Sequence, residues 1–445
     1  MGKKSSTSTK KTDQSPAKDD KTSTKPEKPL DSNSTKLNKS SKSNKKAKHN
    51  KKPPRTKKQK TLLITLIIIV VLLIGALIFL LIMLNKKHEA SKIAPAEFTE
   101  PIYSILTGEE ISDESLNSSP TFCVQIPNGN DGARPQSGLT QAGVVFEAIA
   151  EAGITRFAAV FQNPTTSVIG PIRSLRPYYL DWDTPFDCTV VHAGGSDEAI
   201  HAINAGGQRN LDENLEYMWH ETNSGRRWNN LFTSPSDLAK FNSDHDYRTS
   251  NVIAFPRQTP EEAEAFVATQ QITVCEDGME PAQDDCVSTE EFKSMNLANA
   301  VSHVSMRIGN IAMFNINYDY DAESNRYLRS YANGEQHMVY ECPAGLEQPN
   351  TTTECGELIQ VAPKAVVAMV VQEGRMADGY HENITTLSSG DAYIFQNGTV
   401  IEGSWTKSAQ NKQIIFRDNE DNEIKFTPGQ LWITAVPQYG GVTWE

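Results

Sequence analysis

The sequence predicts an α+β protein: one transmembrane helix, then a mixed α/β body followed by a smaller antiparallel β-rich part. Three observations lead there. Residues Leu62 to Leu84 form a run of 23 without a charged side chain. Between 120 and 256, apolar runs end at Gly, Pro and Asn clusters and alternate with helix starts. From Val301 onward strand patterns dominate, at Val304 to Ile308, Met313 to Tyr320, Val366 to Val371, Ala392 to Phe395, Ile414 to Phe416 and Leu431 to Val436, separated by Gly, Asn and Asp turns.

As a helix the apolar run reaches about 35 Å, enough to span the hydrocarbon core once. It continues through Phe79, Leu80, Leu81, Ile82, Met83 and Leu84, whereas a cleaved signal peptide has a shorter apolar stretch ending at small residues, so an uncleaved anchor at 61–84 is expected. Residues 1–60 carry 20 Lys or Arg against 5 Asp or Glu, net +15, and the remainder carries 23 against 50, net −27. Basic flanks stay on the cytoplasmic side, which places the amino terminus inside and the acidic bulk outside; Lys86 and Lys87 oppose this only weakly. The run holds no cysteine for lipid attachment.

Residues 1–60, made of Lys, Ser, Thr, Asn and Pro, cannot bury enough apolar surface to order themselves and read as a disordered tail. Its charge suits anionic headgroups, but without interleaved aromatics it speaks against nucleic acid. Residues 85–119 read as a juxtamembrane linker. The ectodomain then opens with a strand from Thr121 to Ile126 and a loop at Pro127 to Gly132. Val144 to Glu151 and Ile154 to Phe161 meet at Gly153 and suggest a hairpin; a helix capped by Thr140 is the alternative for the first run. A buried strand from Cys188 to His192 leads to Gly194-Gly195-Ser196, where a helix should start. Further helices are expected after Pro235, with Ser236 as cap, and from Pro260. The expected parts are a body at 120–256, an acidic cysteine-bearing insert at 257–298 and a β-rich part at 299–445.

Six cysteines in an exported domain suit disulfides rather than metal, since neither Cys-x-x-Cys nor His-x-His occurs; no metal and no cofactor is expected. Six allow 15 pairings; proximity favours Cys275 with Cys286 and Cys342 with Cys355, which leaves Cys123 for Cys188.

Several stretches carry a family likeness: Ala133 to Leu139 (Ala-Arg-Pro-Gln-Ser-Gly-Leu), Glu151 to Phe157, Ile169 to Arg176 and His192 to Ser196. It resumes at Asn315 to Tyr320, Tyr327 to Ser330, Gly334, His337, Gly403 to Lys407 and Pro428 to Ile433. In these the chain resembles the YerB-like family of bacterial envelope lipoproteins, a domain of unknown function, over roughly 300 residues in two blocks. The likeness implies a bacterial envelope protein. The chain departs from the pattern in its missing lipidation cysteine, its cationic tail and its acidic insert.

Arg134, Arg156, Arg173 and Arg176 fall within 43 positions of an acidic domain, beside glycines and prolines that stiffen loops. Guanidinium forks match phosphate and carboxylate oxygens, and backbone at Gly194 and Gly195, ahead of a helix beginning after Ser196, would admit an anion. With Glu151 and His192 these form the candidate ligand site; no catalytic residue is assigned. The bland alternative is that the arginines pair with Glu147, Glu151, Asp181 or Asp183. The expected function is binding of a cell-wall glycan, an anionic envelope component or an envelope protein. The runner-up is a phosphotransferase or hydrolase using the same arginines, on a faint resemblance to the LytR-CpsA-Psr phosphotransferases. No acidic residue follows Arg173 as that motif requires, and Gly-x-Ser-x-Gly is absent around Ser196. Trp405, Trp432, Tyr318, Tyr320 and Tyr327 read as core, with a carbohydrate platform as the alternative.

Overall fold

The computed structural model describes residues 56–90, 100–222, 225–263, 300–346, 348, 352–376 and 379–445. The expectations for the tail up to residue 55, the linker at 91–99, the helix beyond Ala263, most of the acidic insert and the Cys275–Cys286 pair lie outside the described residues. The chain divides into two units, Met1–Glu97 and Phe98–Glu445.

In the first unit, helix α1 (Lys57–Ala90) contains Thr61–Lys86, 26 residues long and apolar enough to cross a membrane by length and composition. Its side chains are Leu, Ile and Val on every face, with no proline to break the ladder.

The second unit is built on two sheets. Before residue 257 come β1 (Thr121–Pro127), β2 (Val144–Glu151), β3 (Ile154–Gln162), β4 (Thr189–Val191) and β5 (Arg209–Leu211). After residue 299 come β6 (His303–Arg307), β7 (Ile316–Asp321), β8 (Arg326–Tyr331), β9 (Ala365–Val371), β10 (Ser389–Gln396), β11 (Thr399–Thr406), β12 (Ile415–Asp418), β13 (Leu431–Pro437) and β14 (Gly441–Trp444). The larger sheet has ten strands in the order β12, β11, β10, β9, β13, β2, β3, β1, β4, β5; the smaller is antiparallel, in the order β8, β7, β6, β14. The α+β class therefore holds, and the body and the β-rich part contribute five strands each to one sheet. They meet where β13 pairs in parallel with β2, from Leu431 opposite Val144 to Thr434 opposite Glu147.

Both faces of the ten-stranded sheet are covered, which is why β2, β3 and β9 read as near-continuous apolar runs rather than alternating ones, broken by Glu147 in β2 and by Thr155 and Arg156 in β3. On one face Val144, Phe146, Ala148, Val367 and Met369 pack under helices α2 (Pro177–Asp183) and α3 (Asp197–Gly206). On the other, Val145, Phe157, Ala159 and Trp432 pack against α4 (Pro235–Asp244), while Val366, Ala368 and Phe395 pack against the smaller sheet. Each large side chain so buried contributes about 1.5–3 kcal/mol.

Val144–Glu151 is a strand, so the hairpin reading wins over the helix. Ala152 and Gly153 both have positive φ, 48° and 79°, as a two-residue turn matching strand twist requires. Ser196 caps α3, accepting from the Ala199 amide. For α4 the cap is Ser234 instead of Ser236, because Pro235 sits at the first helical position and leaves Ser234 extended, its hydroxyl facing the Asp237 amide. The run at Met313 begins as a short 3-10 turn, Ala312–Phe314, before β7. Disulfides join Cys123 to Cys188 and Cys342 to Cys355.

Candidate functional site

Two of the four arginines converge on one carboxylate, with Arg173 nearby. A bulge between Ile149 and Glu151 re-aims Glu151 at the end of β2, where Arg156 from β3 reaches its Oε1 at 2.9 Å and Arg176 bonds its Oε2. Burial pushes the Glu151 carboxyl up, but Arg156 and Arg176 outweigh it and hold it below the usual range. The stretch around Arg173 arrives there because it is laced between strands: the Arg173 amide donates to Gln125 O and its carbonyl accepts from the Ala193 amide. It is irregular backbone rather than a strand. Arg156 and Arg176 are buried and committed to Glu151, so packing accounts for them. The Arg173 side chain is half-buried and, among the described residues, donates only to Trp228 O, at 3.4 Å; burial, then Arg156, lowers its pKa.

Beside it, His192, Gly194 and Ser196 spend their polar groups internally. His192 is buried, with Nδ1 2.8 Å from Gly194 O and Nε2 2.7 Å from Asn210 Oδ1. The Gly194 amide donates to Asp212 Oδ1 at 2.7 Å, its carbonyl accepts from Leu175 N, and Gly195 bridges to Leu175. These bonds dock the α3 entry onto the arginine stretch.

Arg134 is placed differently. Its loop is fixed by Arg226, which donates to Gly132 O and Pro135 O at 2.9 and 2.8 Å. A Cβ on Gly132, where φ is +99°, would lie 2.9 Å from the Arg226 Cα, so glycine is required there. Arg134 Nε donates to Asn128 O and Oδ1, and the guanidinium stacks 3.6 Å over Tyr331 with Phe314 at 5.4 Å. Among the described residues no carboxylate pairs with it, and its buried Nη2 has no hydrogen-bond partner. It opens on a cleft of about 570 Å³ shared with Tyr331, Glu335, His337 and Met338.

Beneath the cleft lies a buried polar network that the sequence reading missed. Arg329 Nη2 grips both oxygens of Glu147 at 3.0 and 2.8 Å, with both side chains fully buried. Trp432 Nε1, Thr155 and Asn128 also donate to Glu147. Burial works against the Arg329 charge, but Glu147 outweighs it. Arg329 Nη1 donates to His337 Nδ1 at 2.6 Å, and His337 Nε2 donates to Gln136 Oε1 at 3.0 Å. Burial, with Arg329 and Arg134 nearby, keeps that imidazole neutral. The signal lay in the spacing: Tyr327, Arg329 and Tyr331 share a strand face, and an arginine between two buried tyrosines needs an acid. The aromatic platform does not form, since Trp405, Trp432, Tyr318 and Tyr327 are buried.

A second cleft, of about 350 Å³, adjoins the β2–β3 turn and holds Glu373. Glu373 and Glu382 lie diagonally on one face of a short antiparallel ladder, with Arg375 opposite Glu382. Tyr439 donates to Glu373 Oε1 at 2.9 Å, while Oε2 is buried with no hydrogen-bond partner among the described residues. Burial raises the Glu373 pKa from the usual 4.5 to about 7, against the Tyr439 bond. The folded state then keeps a proton that the unfolded chain releases, so stability falls as pH rises from about 4.5 to about 7. Glu373→Gln should remove this decline and gain on the order of 1–3 kcal/mol above neutrality. Urea unfolding across that pH range checks it; an unchanged pH slope contradicts it.

Residues 106–248 match the family described as "Protein of unknown function (DUF3048) N-terminal domain", and 309–433 match its C-terminal domain, together more than half of the chain. The YerB protein of Bacillus subtilis (strain 168) is 25% identical over 366 residues, covering 81% of this chain and 92% of that one. The crystal structure of YerB from Bacillus subtilis superposes with a TM-score of 0.56 at 23% identity, covering 77% of this chain and 99% of that chain. With the arginine stretch in one matched part and Arg329 and His337 in the other, the chain belongs to the YerB-like DUF3048 family of proteins of unknown function.

Proposed function

We propose that this protein is a single-pass envelope protein whose extracytoplasmic domain binds a component of the cell envelope through an anionic group held at Arg134. The orientation rests on the net +15 before the apolar helix and −27 for the rest, which keeps the amino terminus cytoplasmic. The observation that carries the binding reading is the state of Arg134: among the described residues no carboxylate forms an ion pair with it, and it lines an open cleft. An arginine stacked on tyrosine has its plane fixed in advance, so little entropy is lost when an anion docks. Arg173, half-buried and held by one carbonyl, is a secondary contact.

The test is retention of the detergent-solubilised full-length protein on isolated cell walls. Arg134→Ala should reduce retention roughly tenfold with an unchanged circular dichroism spectrum, and Arg134→Lys should restore only part of it. Undiminished retention by folded Arg134→Ala rejects the reading.

A further inference from the structure

The Arg134 cleft offers two opposite charges on fixed supports. Arg134 has spent Nε on Asn128 and its Nη2 is buried, so what it presents to the cleft is Nη1, a charged donor for a carboxylate oxygen. Across the lining stands Glu335, exposed, on the turn that follows β8. That turn is pinned: the Glu335 amide donates to Asn333 Oδ1 at 3.2 Å, its carbonyl accepts from the Tyr331 amide at 2.8 Å, and Gly334 N donates to Tyr331 O. The position of the carboxylate stem is thus tied to the same tyrosine on which the guanidinium stacks.

A purely anionic ligand, such as inorganic phosphate, would satisfy Arg134 but meet Glu335 as a like charge. An uncharged sugar would leave Arg134 facing the cleft without an anion. We infer that the cleft takes a short zwitterionic peptide, its free carboxylate on Nη1 of Arg134 and its ammonium on Glu335. The wall between them supplies apolar contact from Met338. A volume of about 570 Å³ holds a ligand of that size, within the usual range for small-molecule clefts. His337, neutral and bonded at both ring nitrogens, forms the floor and adds no competing charge.

This inference rests on the Arg134 reading above, and the experiment separates the two. Binding of alanyl-alanine, its carboxy-terminal amide, its N-acetyl form and inorganic phosphate to the full-length protein is followed by calorimetry. The free dipeptide should bind best, with amidation and acetylation each weakening it roughly tenfold. Glu335→Gln should weaken the free dipeptide but leave the N-acetyl form unchanged, a split that loss of fold would not produce. Absence of dipeptide binding, equal binding of the amide, or tighter binding of phosphate overturns the inference. If Arg134→Ala still loses wall retention in those cases, the peptide assignment alone falls. If Arg134→Ala keeps retention, the underlying reading falls as well.

Discussion

Replacing Arg329 by Met should lower the unfolding free energy by about 3–5 kcal/mol, the cost of leaving a buried carboxylate without its counter-charge. Glu147 has no route to solvent, and its oxygens are shared among Arg329, Trp432, Thr155 and Asn128. The remaining neutral donors soften the loss without matching a charged guanidinium. Removing both charges, as Glu147→Gln with Arg329→Met, should recover a large part of the loss, because a neutral amide can keep the Trp432 and Thr155 bonds. Denaturant titration of the two single variants and the double variant measures the coupling. Strictly additive losses, or a loss below about 1 kcal/mol for Arg329→Met, would show that the pair contributes little. A second readout links the network to the cleft: Arg329 also lies over the Tyr331 ring, at 4.9 Å, so its loss should loosen the platform under Arg134 and weaken anion binding.

That network shows how far local pattern reaches. The membrane-length helix, the turn at Ala152 and Gly153, the α3 start at Ser196 and the pairing of Cys123 with Cys188 all follow from residues within one element or from counting, and they were legible. The pairing of Arg156 and Arg176 with Glu151 was one of four the sequence allowed, beside Asp181, Asp183 and Glu147, the last of which is held by Arg329. What could not be read is the pairing of Leu431–Thr434 with Val144–Glu147, since a parallel neighbour some 285 positions away leaves no periodic trace in either strand. That one contact brings Trp432 to Glu147 and unites the two family parts in one sheet. The separation of Arg134 from the Glu151 cluster is likewise a matter of loop path. Arg134 leaves β1 through a loop held by Arg226, 92 positions on, whereas Arg156 stays within the β3 ladder.

Loss of the Cys123–Cys188 bridge should destabilise the unit by about 4 kcal/mol, more than loss of Cys342–Cys355, for which about 3 kcal/mol is expected from loop closure. The sequence separations are 65 and 13, and the entropy restored to the unfolded chain grows with the logarithm of the loop. The longer loop also encloses most of the N-terminal half of the sheet: β2 and β3 lie between the two cysteines, and β4 follows directly on Cys188. Both sulfurs are buried, so Cys123→Ala with Cys188→Ala adds a packing loss at the β1–β4 junction, where Cys123 faces Val190. Guanidinium unfolding of each double variant, under conditions that leave the other bridge intact, sets the order. A smaller loss for Cys123–Cys188 than for Cys342–Cys355 would mean that the unfolded chain already holds β1 and β4 together. In that case the parallel pairing of β1 with β4 would be carried by the apolar contacts of Val124 and Val191 rather than by the covalent tie.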